Sequence, residues 1–477
     1  MRALVWFRAD LRVEDHSALF HACRAAGRGV VAVYVICPGQ WLEHDWAPVK
    51  VEFILRNLGA LRARLARLNI PLKILTVPGF AGVPGELIAL AERLACDAIY
   101  FNREYEWNEA RRDERVARVF ESRGLSVHAF HDQVLFPPGE IRTQEGRFYT
   151  VYSPFKRACW ARYMEGDGWE VLPAAEKSAE TEIRGDEIPD RVPGFGASGV
   201  DPALWAAGEA EAQRRLARFI ETGLDGYKER RDSPGVDGTS VLSPYLAAGV
   251  LSPRQCIVPA LDRNGGRLDQ GNAGSVTWIQ ELLWREFYRH VMVGFPRVCK
   301  GRAFRPEFEA VRWRDDREGL GAWKDGRTGY PIVDAAMRAL RETGWMHNRL
   351  RMVSAMFLTK HLLIDWREGE RHFMRHLIDG DLASNNGGWQ WSASTGTDAQ
   401  PYFRIFNPVS QSRNFDPEGA FIRRWVPELG ELDAKIIHEP WVSPLAMSGV
   451  DYPPPIVDQK AGRERALAAF EAVRAGS

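Results

Sequence analysis

"ALVWFRADLRVEDH", Ala3–His16, decides how the first third of the chain folds. Five apolar or aromatic residues in a row are too few for a helix and read as a buried strand. The run then breaks into a charged turn, "RADLRVEDH", that contains no glycine. A nicotinamide-dinucleotide fold would open this turn with G-x-G-x-x-G, so dinucleotide binding is not expected here. Similar short runs recur at "GVVAVYVI" (29–36), "PLKILTV" (71–77), "DAIYFN" (97–102) and "LSVHAF" (125–130). Helical patterns separate them. The clearest spans Val51 to Leu68, where Phe53, Ile54, Leu58, Leu61, Leu65 and Leu68 make one apolar face. Alternation of this kind predicts an α/β, Rossmann-like domain over residues 1–130, with a parallel sheet covered on both faces.

The rest of the chain reads differently. At 477 residues it is too long for one ordinary core, so two or three domains are expected. Residues 131–200 are polar and dotted with proline, and are expected to be the linker between the domains. A literal G-x-G-x-x-G does occur there, "GFGASG" at 194–199, but no strand precedes it and it reads as linker. From 201 to 477 strand signals vanish. "EAEAQRRLARFIE", "GSVTWIQELLWREFYRHVMVG", "YPIVDAAMRALRETG" and "NRLRMVSAMFLTKHLLI" are helical by period and length, and a last helix lies in "GRERALAAFEAVRAGS". Ser243-Pro244 and Ser252-Pro253 each read as an N-cap followed by the first helical residue. The second domain is therefore expected to be all-helical.

Composition narrows the function classes. Formal net charge is zero, so a nucleic-acid role must come from local segregation of charge. The six cysteines are scattered without a C-x-x-C pair, which points to a reducing cytoplasm and away from a disulfide frame. No apolar run reaches the 18 residues of a membrane span, and the apolar run in "MRALVWFRAD" is too short for a signal peptide to be expected.

Five constellations are candidates for chemistry. "GTSVLSPYLAAG" (238–249) puts Thr239, Ser240 and Ser243 at a helix start, suited to a phosphate or to ordinary capping. "WIQELLWREFYRH" (278–290) places Trp278, Glu281, Trp284, Arg285 and Tyr288 along one helix face; charges in that stripe favour a pocket wall over a sealed core. Arg338 to Arg375 holds eight Arg or Lys against four Asp or Glu, a solvated face in most proteins. His372 and His376 have metal-pair spacing but no third ligand, so no metal is expected. "DGDLASNNGGWQWSASTG" (379–396) crowds two carboxylates, two amides, two glycines and two indoles together, with neither a helix stripe nor a strand alternation. On the residues alone, enzyme, photoreceptor and nucleic-acid binder all stay open.

The longer strings resemble one family. "GTSVLSPYLAAGVLSPRQC", "ELLWREFYRH", "WKDGRTGYPIVDAAMRALRETGWMHNRLRMV" and "DWREGERHFMRHLIDGDLASNNGGWQWSASTGTDAQPYFRIFNP" are similar to the photolyase/cryptochrome family. Within it they resemble the class I cyclobutane pyrimidine dimer photolyases. "LVWFRADLRVEDHSAL" matches that family's antenna domain, so the resemblance covers nearly the whole chain.

The resemblance implies FAD, active as FADH⁻, in the helical domain. Tyr227 and the segment Thr239, Ser240, Val241, Leu242 and Ser243 would hold its phosphates, with Trp278 lining the cavity. Asp379, Gly380 and Asp381 would lie along the flavin, with Arg351 beside the ring. An anion in a poorly solvated pocket needs such oriented donors and positive charge. Asn385 falls where that family places a side chain against flavin N5, and a neutral amide there would accept the N5 hydrogen without adding charge. Trp284 and Trp391 would stack on a flipped-out dimer, each base–aromatic contact being worth about 1–3 kcal/mol. Extruding a dimer costs less than extruding a sound base, which is itself a source of selectivity. Glu281, Asn348 and Met352 match the dimer-contacting positions, and Glu281 would donate a hydrogen bond to developing negative charge. Trp389, Trp366 and Trp313 would relay electrons from the surface to the flavin. Arg231, Arg285, Arg349 and Gln411 would meet DNA, alongside Glu281, Trp284 and Asn348, with phosphates as the partners of the rim arginines. In the antenna domain, His44, Asn108, Glu109, Cys299 and Lys300 match the branch that carries 5,10-methenyltetrahydrofolate; a deazaflavin antenna is the alternative.

The function implied is light-driven repair of cyclobutane pyrimidine dimers in DNA by a cytoplasmic monomer. A (6-4) photolyase is expected to carry histidine where this chain has Asn348 and glutamine where it has Glu281. A DASH-type cryptochrome would read differently from "HNRLRM", and a signalling cryptochrome, the other alternative, would be expected to continue into a long tail.

Overall fold

The computed structural model describes residues 1–166 and 169–475. Five strands, all before residue 131, form one parallel sheet: β1 (Ala3–Phe7), β2 (Val30–Ile36), β3 (Leu72–Thr76), β4 (Ala98–Asn102) and β5 (Ser126–Phe130). Their order is β3-β2-β1-β4-β5. β1 pairs with β2 on one side and β4 on the other, with Trp6 opposite both Val33 and Phe101. β1, β2 and β4 are buried along their whole length, which is why they read as unbroken apolar runs rather than alternating ones. Helices Ser17–Ala25, Pro48–Arg67, Val83–Arg93 and Trp107–Ser122 make the crossovers. In the second of these, Phe53, Ile54, Leu58, Leu61 and Leu65 are buried as the sequence period requires, while Leu68 is the residue that ends the helix.

The strand order reverses between β1 and β4, and in open α/β sheets the crevice outside the carboxyl ends at that point is where ligands bind. The turn after β1 is filled by side chains. The Arg8 guanidinium donates to the Asn102 carbonyl and Arg12 donates to the Asp15 and Gly249 carbonyls and to Asp132. Burial opposes the charge of Asp132, but Arg12 and Arg254 overcome it and hold its carboxyl far below the usual carboxylate range.

Beyond residue 131 every described element is helical. The chain packs into two compact units, one of Met1–Asp225, Ser240–Pro296 and Ile378–Asp381, the other of Gly226–Thr239, Arg297–Leu377 and Leu382–Ser477. The change from strands to helices thus falls where composition puts it, whereas packing gathers the 240–296 helices with the sheet. The 131–200 stretch is not uniformly a connector. It contains the helix Tyr152–Glu165, whose Tyr152, Phe155 and Cys159 are buried. "GFGASG" is irregular, with no strand before it.

Two helix readings need correction. Ser252 caps its helix through a capping box with Gln255, as expected, but Ser243 is the first residue of its helix and Leu242 is the cap. The bend that a cap usually supplies is moved to Val241, in the left-handed region at φ 48°. "DGDLASNNGGWQWSASTG" holds a helix, Leu382–Ala393. It has no stripe because Asn385, Asn386, Gln390 and Ser392 are buried along with Ala383 and Trp389, so polar and apolar residues face the interior alike.

Candidate cofactor and nucleic-acid sites

Within the sheet-bearing unit, three residues expected around an antenna meet. His44 Nδ1 lies 3.3 Å from Glu109 Oε1, and its Nε2 faces the amide of Asn108 at 3.1 Å. Glu109 and Asn108 come from the first turn of Trp107–Ser122, at the carboxyl end of β4. Burial works against charge on His44, but hydrogen bonding and attraction from Glu109 outweigh it and hold the imidazole above its ordinary range. Burial, with Glu109 beside it, pushes Glu106 up to about 7. The other two expected residues, Cys299 and Lys300, belong to a short turn in the second unit, Cys299 half-buried and Lys300 exposed.

The residues expected to line a pocket lie on the Ala273–Gly294 helix. Trp278 is buried and its indole N–H donates to Ser240 Oγ at 3.4 Å. Glu281, Trp284, Arg285 and Tyr288 are half-buried, which keeps this face partly open. Arg285 donates to the Gln133 carbonyl at 2.7 Å. Burial, with Arg289 adjacent, pulls its pKa down to about 10.

The sequence stripe missed the more deeply buried charges of this helix. Glu286 is fully buried and accepts the backbone N–H groups of Leu135 and Phe136, both at 2.9 Å. Arg289 donates to Asp381 at 2.7 Å, giving one carboxylate of the "DGD" segment a buried cationic partner. Gly380, between the two acids, accepts from Lys50 Nζ at 2.7 Å. Lys50 is buried, which pulls its pKa down to about 8, and its ammonium sits 3.8 Å above the Trp46 ring. Asp379 is also buried.

In the second unit, Arg231 and Arg349 gather around one carboxylate. Asp232 lies 3.8 Å from Arg231 and 2.9 Å from Arg349. The Arg231 guanidinium covers the Tyr227 ring at 5.3 Å, and that of Arg349 covers Phe415 at 4.3 Å. Gln411 is one turn before Phe415 on Pro408–Phe415. Asn348 and Met352 share a face of Asn348–Met356, a helix capped by the His347 imidazole, which accepts from Arg349 N–H at 3.2 Å. Burial lowers His347 to about 4, in keeping with that acceptor role. Arg351 donates from Nε to the Met346 carbonyl at 2.8 Å.

Of the three tryptophans expected to form a relay, Trp389 and Trp366 are buried and Trp313 is half-buried. Trp389 is wedged edge-on between Phe373 at 4.9 Å and Trp323 at 6.0 Å. Trp313 packs edge-on to Phe470 at 6.0 Å. Trp391 is half-buried; two positions along a helix turn it about 200° away from Trp389. His376 Nδ1 is 2.8 Å from the His372 carbonyl, so this histidine turns back onto the end of the Trp366–Met374 helix that precedes it.

Comparison with known proteins assigns the family. Residues 3–177 match the DNA photolyase family, and residues 278–472 match the FAD binding domain of DNA photolyase. The deoxyribodipyrimidine photo-lyase of Escherichia coli K12 is 46% identical over 474 residues, covering 99% of each chain. That of Vibrio cholerae is 44% identical over 472 residues, again 99% of each. The chain belongs to the DNA photolyase family. Among solved structures, a bacterial class III photolyase from Agrobacterium tumefaciens superposes with a TM-score of 0.88 at 36% identity, covering 99% of this chain and 98% of that one. An archaeal photolyase from Sulfolobus tokodaii with two FAD molecules gives 0.82 at 30% identity, covering 99% and 100%.

The residues present fit the FAD that this photolyase domain binds. Asn385 is buried, and its Nδ2 donates to the Glu370 carbonyl at 3.0 Å. That bond fixes the amide so that its oxygen, an acceptor, is the end left over. A hydrogen-bearing nitrogen such as reduced flavin N5 is what an acceptor at that position suits.

Proposed function

We infer that this protein is a deoxyribodipyrimidine photo-lyase, a carbon–carbon lyase that uses light to split cyclobutane pyrimidine dimers in DNA. The observation that carries the reading is the end-to-end match to relatives of that name, at 46% identity over 99% of both chains. Bound FAD, fully reduced, supplies the electron that a blue photon raises. The residues assigned to it are Tyr227, Thr239 to Ser243, Trp278, Arg351, Asp379, Gly380 and Asp381. Asn385 accepts a hydrogen bond from N5 and, being neutral, favours the reduced cofactor without adding a second negative charge. Trp284 and Trp391 stack on the extruded pyrimidines; Asn348 and Met352 contact them. Glu281 donates a hydrogen bond where negative charge develops. Arg231, Arg285, Arg349 and Gln411 engage the DNA, the arginines anchoring phosphates. Trp389, Trp366 and Trp313 deliver electrons to oxidised cofactor.

We further assign 5,10-methenyltetrahydrofolate as the antenna, held by His44, Asn108, Glu109, Cys299 and Lys300. The hydrogen-bonded trio of the first three at the carboxyl end of the sheet supports this choice. The protein is taken to act as a cytoplasmic monomer. Among the described residues no helix is long and apolar enough to cross a membrane.

The test is repair itself. Protein reduced in the dark is mixed with an oligonucleotide bearing one thymine dimer and illuminated with blue light. Recovery of thymine absorbance is the expected result. An intact dimer under light, with FAD present and reduced, overturns the assignment. A near-ultraviolet band beside the flavin bands, lost on His44→Ala or Glu109→Ala, identifies the folate.

A further inference from the structure

Trp284 lies against a second aromatic ring that the roles above leave unused. Tyr152, the first residue of Tyr152–Glu165, stacks on it with ring centroids 3.7 Å apart and planes 11° from parallel. The tyrosine is buried, 5% exposed, whereas the indole is half-buried. One indole face is therefore covered by the phenol.

Two further contacts fix that phenol. Its hydroxyl donates to the Gln280 carbonyl at 2.7 Å. Gln280 is one turn before Trp284 on the same helix, so the tether sets the tyrosine relative to the helix that carries the indole. Phe287, three residues after Trp284, meets both rings edge-on, at 5.8 Å for Tyr152 and 5.7 Å for Trp284. Edge-to-face contacts of this kind resist rotation of either ring.

We propose that Tyr152 is a positioning residue for lesion recognition: it backs one face of Trp284 and holds the indole so that only the opposite face is offered to an extruded pyrimidine. The inference rests on the assignment of Trp284 as a stacking residue. An unsupported tryptophan loses rotamer freedom when a base lands on it, and that loss subtracts from affinity. A tryptophan already held has spent it during folding. The saving is worth about three- to tenfold in binding constant. It acts on lesion DNA alone, because undamaged DNA extrudes no base onto the indole.

The experiment measures equilibrium binding in the dark of FAD-loaded protein to an oligonucleotide with one thymine dimer and to the same sequence undamaged. Tyr152→Ala is expected to weaken lesion binding about three- to tenfold and leave undamaged binding as it was, lowering the discrimination ratio by that factor. Tyr152→Phe keeps the stack, loses only the tether, and should restore most of the ratio. Tyr152→Leu fills the volume without an aromatic face; it should behave like the alanine variant and carries the test if alanine fails to fold. Trp284→Ala separates the two layers of the argument. If Trp284→Ala keeps full discrimination, the stacking assignment fails. If Trp284→Ala loses it while Tyr152→Ala and Tyr152→Leu keep it, or weaken both DNAs equally, the positioning role of Tyr152 is overturned.

Discussion

Gly369→Ala should disturb Trp389, the relay tryptophan closest in the assigned order to the flavin, without touching any assigned flavin or DNA contact. Gly369 lies on Trp366–Met374 and faces Leu382–Ala393, which carries Trp389. A methyl carbon built on Gly369 would lie 2.0 Å from Trp389 Cη2, 2.4 Å from Cζ3 and 2.7 Å from Cζ2. Non-bonded carbons settle at about 3.5 Å or more, so a gap of about 1.5 Å must open. The ring has nowhere to go, being 2% exposed and held edge-on by Phe373 and Trp323. Trp323 is itself anchored by its N–H to the Ser354 carbonyl at 3.1 Å. Overpacking of this sort costs about 1–3 kcal/mol. At about 2–4 °C per kcal/mol for a unit of this size, melting should fall by about 2–12 °C. Photoreduction of the oxidised flavin, followed by its visible bands, should slow as the indole leaves its seat. Trp389→Phe removes the six-membered indole ring that meets the new methyl, so Gly369→Ala should cost less in that background. A double-mutant cycle reads this as a coupling of about 0.5–3 kcal/mol. Melting unchanged within 1 °C of wild type, at about the noise of such a measurement, or strictly additive single and double variants, would refute the steric reasoning.

Trp313→Phe should block photoreduction of oxidised flavin yet spare repair by protein reduced chemically beforehand; equal photoreduction rates would remove Trp313 from the relay. Glu281→Ala should keep the flavin spectrum and lower the quantum yield of dimer splitting, and an unchanged yield would deny it a role. Arg289→Met removes the buried cation 2.7 Å from the half-buried Asp381 carboxylate, which should cost about 1–3 kcal/mol in denaturant titration, with Asp381→Asn in the same chain recovering part. Glu106 has a folded pKa raised, by burial and then Glu109, to about 7 from 4.5. Its contribution to stability is therefore fully present below the unfolded value and is lost as pH rises through about 7. Glu106→Gln should match wild type near pH 4 and be the more stable of the two above pH 7; curves that stay parallel across that range would contradict the linkage.

How far the sequence could be read depends on whether a signal is local. β1, β2 and β4 announce themselves because a strand buried on both faces must be apolar at every position, and the helix after β2 does so because one face is buried and the other wet. Ser243-Pro244 marks a helix start, but which residue caps it is decided by the left-handed turn at Val241, and no preference of serine or proline encodes that. The helix Leu382–Ala393 shows no period for a physical reason: its amides are as buried as its indole, Asn385 on the Glu370 carbonyl and Asn386 on the Glu370 carboxylate at 2.9 Å. Burial that takes polar and apolar residues alike erases the contrast from which a period is read. The buried charges fail differently. Lys50 reaches Gly380 across 330 residues and Glu286 reaches Leu135 across 151, so nothing beside either residue hints at its partner. Arg289 was within reach, four residues beyond Arg285 on a stripe already suspected of lining a pocket. Tyr152 was not, since it lies in the 131–200 stretch read as linker and its partner Trp284 comes 132 positions later. A buried charge or a stacked ring is tolerated only because the tertiary fold delivers its partner. The positions where sequence reading falls silent are therefore those where the fold, rather than the local chain, supplies the stabilising contact, and in this photolyase several of them adjoin residues assigned to the flavin and the lesion.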